Sequence, residues 1–153
     1  MKTILKLSIV AVFFSLLACT KEDPAPTKTQ LISRKWNTES VTAVVSGLQL
    51  NAYTKGSSNN LINFSNFTAT LSADGSISMV NPTNGQPING KWVFEQNETV
   101  VNVSNGLFIL TIQELTQNKM VFKMPYEIPT DDYKAFGLSK GMKIEATFTM
   151  SSI

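Results

Sequence analysis

From residue 33 to the C-terminus, apolar and polar side chains alternate in short runs, with turn residues returning at intervals of about ten residues, as all-β domains require. The last run is the clearest: Ile144, Ala146, Phe148 and Met150 alternate with Lys143, Glu145, Thr147 and Thr149. Side chains on a strand point to opposite faces in turn, so this run buries one face and wets the other. Three hairpins are legible around Asp74-Gly75, around Gln96-Asn97-Glu98 and around Thr116-Gln117-Asn118. Asp-Gly supplies the positive φ that a tight turn needs. An opening strand over 35–45 begins at Trp36, and with runs near 67–71, 76–80, 91–94, 99–103, 107–114, 119–124 and 143–150 the count reaches eight strands. No long amphipathic stretch separates them, so consecutive strands are expected to be antiparallel neighbours in an up-and-down β-barrel, with a β-sandwich as the alternative. Two stretches read as long loops, 46–64 and 125–141. Within the second, Thr130 is placed to cap one helical turn ending at Gly137.

The inward set on this pattern is Leu71, Met79, Trp92, Phe94, Val101, Phe108, Leu110, Ile112, Met120, Phe122, Met124, Ile144, Phe148 and Met150. Eight strands enclose an interior that either fills with side chains or holds one small ligand. For Trp36 and Trp92, plain core packing stands beside any ligand role.

The first nineteen residues have a different character. Lys2 and Lys6 precede an apolar stretch over 9–17, too short to span a bilayer but suited to an export signal. Leu16-Leu17-Ala18-Cys19 follows and resembles the lipobox of bacterial lipoproteins. That resemblance implies a signal peptide over 1–18 and diacylglycerol on the Cys19 thiol. It further implies a fatty acyl group such as palmitate on the new amine and a lipid-anchored place in the cell envelope. Thr20-Lys21-Glu22-Asp23 is similar to the short signal of surface-exposed outer-membrane lipoproteins, and the inward-facing orientation stays open. With Pro24 and Pro26, residues 19–32 are expected to form a flexible lipidated tether and 33–153 the folded domain.

The folded part resembles the lipocalin-like lipoprotein domains of Bacteroidota. The matching pieces are Ser33-Arg34-Lys35-Trp36, Asp74-Gly75, Gly90-Lys91-Trp92-Val93-Phe94 and the run from Leu110 to Leu115. The resemblance implies a lipocalin-like eight-stranded barrel that acts as a binding module for a small apolar ligand. Trp36, Leu71, Met79, Trp92, Phe94, Phe108, Leu110, Phe122 and Phe148 are then the ligand-lining candidates. Arg34 stands where the family's first glycine is expected, and no arginine occurs in the last strand to cover Trp36.

Composition excludes most chemistry. The chain has no histidine, and Cys19 is its one cysteine, so neither a disulfide, a thiolate metal site nor a His-based nucleophile is available within it. Ser139-Lys140 are adjacent and diverge. Asp131-Asp132 suit a turn, and Glu95 and Glu98 flank a hairpin. The Asn-x-Ser/Thr sequences at Asn63, Asn66, Asn97 and Asn102 suit turns and strand edges. Thirteen basic residues include Lys2 and Lys6, which leaves eleven against eleven acidic ones after the leader. A neutral domain with one arginine has no electrostatic footprint for nucleic acid. The expectation is a non-enzyme without cofactor or metal, whose partners are the membrane and either a small hydrophobic ligand or an envelope protein. The competing reading is an accessory envelope lipoprotein that works through protein contacts. It would be favoured by a filled interior and by Tyr53, Tyr133 or Phe136 clustered on exposed loops.

Overall fold

A computed structural model describes residues 24–81, 84–130, 134 and 137–153. The leader, Cys19, residues 20–23, Asp131-Asp132, Tyr133 and Phe136 lie outside the described residues.

A short helix, α1 (Lys28–Ile32), comes first, followed by nine strands: β1 (Lys35–Val45), β2 (Leu48–Thr54), β3 (Thr68–Leu71), β4 (Ser76–Val80), β5 (Pro87–Glu95), β6 (Val100–Val103), β7 (Phe108–Leu115), β8 (Lys119–Glu127) and β9 (Lys143–Ser152). Every ladder is antiparallel. From β3 to β9 each strand pairs with the next, and β1 hydrogen-bonds to both β3 and β9. That double pairing closes an eight-stranded barrel and removes the free edges a sandwich would leave. The alternation in β9 is realised, with Ile144, Ala146, Phe148 and Met150 all buried.

Three expectations change. Residues 46–64 are not one long loop, because 48–54 form β2. Ser46 (φ 51°) and Gly47 (φ 80°) make the two left-handed residues of a tight hairpin turn, which folds β2 back on the upper half of β1. The added strand, β2, therefore shares one edge of β1 with β3, pairing with Ser40–Val45 where β3 pairs with Lys35–Asn37, and turns Ala52 and Tyr53 into the core. Strand β8 continues through Pro125 to Glu127, so the second loop begins later than 125. Residues 27–32, expected to be part of a flexible tether, are structured. Thr27 accepts from the Gln30 amide while the Gln30 side chain accepts from the Thr27 amide, and this reciprocal box starts α1. Ile32 is fully buried, so the folded part begins at α1.

The register sorts the connections into two ends. The floor holds α1 and the turns at 72–75, 96–99 and 116–118. The mouth holds the β1–β2 turn, the segments 55–67 and 104–107, and the described residues of the β4–β5 and β8–β9 connections.

Trp36 and Arg34 seal the floor. Trp36 is fully buried and donates its indole N–H to the Ile32 carbonyl at 2.9 Å. The Arg34 guanidinium lies over the Trp36 ring, 5.8 Å from its centroid. It donates to the Gln117 carbonyl on the β7–β8 turn and to Gln30 O. The cover absent from the last strand is thus supplied two residues before the tryptophan. A guanidinium stacks on an aromatic face while its N–H groups still reach acceptors at its rim, which an ammonium does less well.

Candidate functional site

The barrel axis is filled. Phe148 on β9 stacks on Phe122 of β8, with centroids 5.2 Å apart and planes at 6°, and meets Phe64 and Phe67 edge-on at 5.3 and 5.2 Å. Phe64 also meets Tyr126 at 5.2 Å and Tyr53 at 6.1 Å. Phe64 and Phe67 come from segment 55–67, which crosses the mouth and drops Ile62, Phe64 and Phe67 into the core. Thr38 Oγ1 on β1 donates to the Phe67 carbonyl at 2.7 Å and holds that segment down. From the other side, Ile128 and Leu138 complete the stopper.

The nine candidate lining residues are therefore brought together as neighbours in one packed core. Trp36, Leu71, Met79, Trp92, Leu110, Phe122 and Phe148 are buried in it, and Phe94 and Phe108 pack against it partly exposed. Trp92 donates its indole N–H to Ser72 O at 3.1 Å and meets Phe94 edge-on at 5.3 Å. Tyr53, whose exposure on a loop would favour a protein partner, lies on β2 and is buried.

An opening does exist, in the wall. The β7–β8 ladder runs from Leu115↔Met120 to Thr111↔Lys123 and stops there. Beyond it, Phe108, Ile109 and Leu110 stay paired to β6, and Met124, Pro125, Tyr126 and Glu127 stay paired to β9. The two strands part, and a cleft of about 290 Å³ lies between them. Leu107, Phe108 and Ile109 form one wall, Met124, Pro125 and Tyr126 the other, and Glu127 and Lys143 stand at the rim. Pro125 has no amide hydrogen to offer a neighbouring strand, which weakens pairing where the wall opens. Leu107 is 58% exposed, Ile109 38%, and Val93 on the adjoining outer face 53%, so apolar surface continues from the cleft outward. Of the sequence-derived candidates, Phe108 lines this cleft. Leu107, Ile109, Tyr126 and Lys143 were not among them. Pro125 inside an alternating run was the signal that could have pointed there.

A second cavity of about 210 Å³, lined by Asn63, Phe64, Asn66, Phe67, Val80, Asn81 and Gly85, sits at the mouth beside the 81–86 connection. Two carboxylates are held below their ordinary range. Glu39 accepts from Lys55 Nζ at 2.7 Å and Ser151 Oγ at 2.5 Å, and Asp74 accepts from the Ser76 hydroxyl and amide at 2.6 and 2.9 Å. Both serve turn and strand contacts far from the cleft. Among the described residues no group of three His, Cys, Asp or Glu is placed to hold a metal.

No protein-family model matches the chain, and no curated protein is similar to it in sequence.

Proposed function

We propose that this protein is a membrane-tethered, non-enzymatic binding module that takes a small apolar ligand in the β7–β8 cleft, through the barrel wall and not along its axis. The observation that carries this reading is the cleft itself: about 290 Å³ with apolar walls, at the low end of ligand-pocket sizes, where the ladder stops after Thr111↔Lys123. Leucine, methionine and aromatic side chains line most of it, with polar groups around Glu127 and Lys143, which suits a mainly apolar molecule with a polar end. Lys143 at the rim is available to an anionic end. The tether reading rests on the lipobox resemblance of Leu16-Leu17-Ala18-Cys19, with the domain in the cell envelope on the outer membrane. Because α1 lies at the floor, a tether ending there turns the sealed end toward the lipid and leaves the mouth and cleft accessible. Lipocalin-like kinship is part of the same reading, supported by the closed antiparallel barrel and by Trp36 in its floor.

Native mass spectrometry of protein purified from its own host, paired with titration of an apolar fluorescent probe, tests the ligand. Leu107→Glu is expected to remove a co-purified ligand and to weaken probe binding roughly tenfold, since it places a charge on the cleft wall. Probe binding unchanged by that substitution would refute the cleft. Cys19→Ala is expected to leave the domain folded and release it from membranes. A variant that stays in the membrane fraction would refute the anchor.

The filled axis favours a second reading, an accessory envelope lipoprotein without a small ligand. It predicts that native protein carries no ligand and that Leu107→Glu changes nothing in probe binding.

A further inference from the structure

Strand β2 ends the order of the sheet and has β1 as its one ladder partner. Val45 and Leu48 flank a two-residue turn, so they exchange main-chain hydrogen bonds, and so do Ala43 and Leu50. By alternation, the N–H and C=O groups of Gln49 and Asn51 point away from β1. No hydrogen bond from another described segment reaches those four groups. From Ala52 on the edge is covered, because the Ile62 amide donates to Ala52 O at 3.1 Å and the Asn60 side chain bonds to both backbone groups of Thr54. The open stretch is 48–51.

Natural sheets guard such an edge with charge, proline or a bulge. Residues 44–54 hold no charged residue and no proline, and the bulge between Val41 and Thr42 lies beyond the open stretch. Val44 is 61% exposed and Leu48 69%.

We infer that this edge pairs with the same edge of a second copy, antiparallel about a two-fold axis through Leu50. In that register Gln49 faces Asn51 of the other copy, and Asn51 faces its Gln49. The two facing pairs make four main-chain hydrogen bonds, and the Leu50 side chains meet at the axis. A two-fold interface sets every residue against its own kind or its mirror partner, so charge on the strand would tend to repel. An uncharged strand pairs with itself without that penalty, whereas a different partner recognised here would find no charge to select it. The Asn51 side-chain amide is satisfied within its own chain by Thr54 Oγ1, at 2.9 Å, so the pairing rests on the main chain. Covering from Ala52 onward stops the pairing from sliding and fixes its centre.

Cysteine substitution in the purified full-length chain tests the register. Facing residues at the axis lie within disulfide reach. Under mild oxidation Leu50→Cys is expected to give a dimer linked through position 50. Leu48→Cys is more exposed but sits four residues from its own copy across the axis, and it is expected to stay at the background that Cys19 sets in the wild type. Gln49→Pro, added to Leu50→Cys, removes an outward N–H that the monomer does not use. Two of the four hydrogen bonds go with it, and cross-linking is expected to fall roughly tenfold. The charge pair Gln49→Lys with Asn51→Glu preserves cross-linking, while lysine at both positions abolishes it. Equal or greater cross-linking at position 48, a Leu50→Cys variant that stays monomeric, or indifference to Gln49→Pro would overturn the proposal. Circular dichroism of each variant separates lost pairing from lost folding.

Discussion

If the barrel axis is solid, Phe148→Ala must be among the most damaging single substitutions in the domain. Phe148 has no exposed surface and touches three rings, Phe64 and Phe67 from segment 55–67 and Phe122 from β8. Truncation leaves a void on the order of 80–100 Å³, which at ~24 cal/mol per Å³ costs about 2 kcal/mol. The lost transfer energy of the ring adds about 2 kcal/mol, for a total of ~4 kcal/mol. A domain of this size has about 5–15 kcal/mol of stability in all, so the variant folds marginally. Urea denaturation followed by tryptophan fluorescence is the assay, and the midpoint is expected to fall while the slope stays constant. A benzene-sized solute is expected to raise the melting temperature of the variant more than that of the parent, because the variant adds a buried void to the wall cleft that both share. A loss below about 1.5 kcal/mol, or solute stabilisation of the parent as large as that of the variant, would mean that the interior is hollow and the packing argument wrong.

Arg34→Ala is expected to cost about 1–3 kcal/mol, since it removes a stacked cation and two charge-assisted bonds to carbonyls. Arg34→Lys recovers little of this in the same urea titration, because an ammonium lacks the planar fork; full recovery would show that charge alone matters. Gly75 and Gly90 separate two kinds of intolerance. At Gly75, φ is +78° and a Cβ would meet the Trp92 carbonyl oxygen at 3.3 Å, so Gly75→Ala is expected to cost about 1–2 kcal/mol. At Gly90 φ is ordinary and a Cβ would meet Ser104 Oγ, which can rotate away, and Ser104 Cβ at 3.3 Å. Gly90→Ala is therefore strained by that side chain alone and Ser104→Gly relieves it, whereas no neighbouring substitution rescues Gly75→Ala; failure of Ser104→Gly to raise the melting temperature of Gly90→Ala would refute the distinction. For pH, the folded state holds Glu39 and Asp74 below their ordinary values, so the stability they confer is complete at neutral pH and is lost as pH falls through those lowered values. With no histidine in the chain, denaturation midpoints are expected to be flat between about pH 5 and 8 and to drop below about pH 4, with Glu39→Gln showing a shallower acid limb.

What was legible in the sequence was whatever depends on neighbours two apart. Ile144, Phe148 and Met150 declared their face because period-two burial is a local property, and Asp74-Gly75 declared its turn through backbone chemistry. Strand β2 was harder: Leu48, Gln49, Leu50 and Asn51 alternate for only four residues before a Ser- and Asn-rich run, and Ser46-Gly47 was the surviving turn signal. Helix α1 carries a readable capping box in Thr27 and Gln30, masked by the prolines before it. The rest is tertiary. Nothing adjacent to Arg34 says that it will lie on Trp36. Phe64 plugs the barrel because segment 55–67 returns over the mouth. The cleft exists because two strands diverge, and residues 108–110 and 124–127 are distant in sequence.

The filled axis decides where recognition can happen. A ligand entering from the mouth would first have to displace Phe64 from its contacts with Phe148, Tyr126 and Tyr53. Opening that cluster costs about 3–5 kcal/mol, the order of a buried aromatic, and a ligand repays it only through an equal preference for the opened state. The cleft asks for no such rearrangement, because its walls are already parted and only water has to leave. The β2 edge likewise offers groups that no packing contact occupies. A barrel packed this way is a rigid frame whose interior supplies the stability, and both sites proposed for it lie where its own ladders stop.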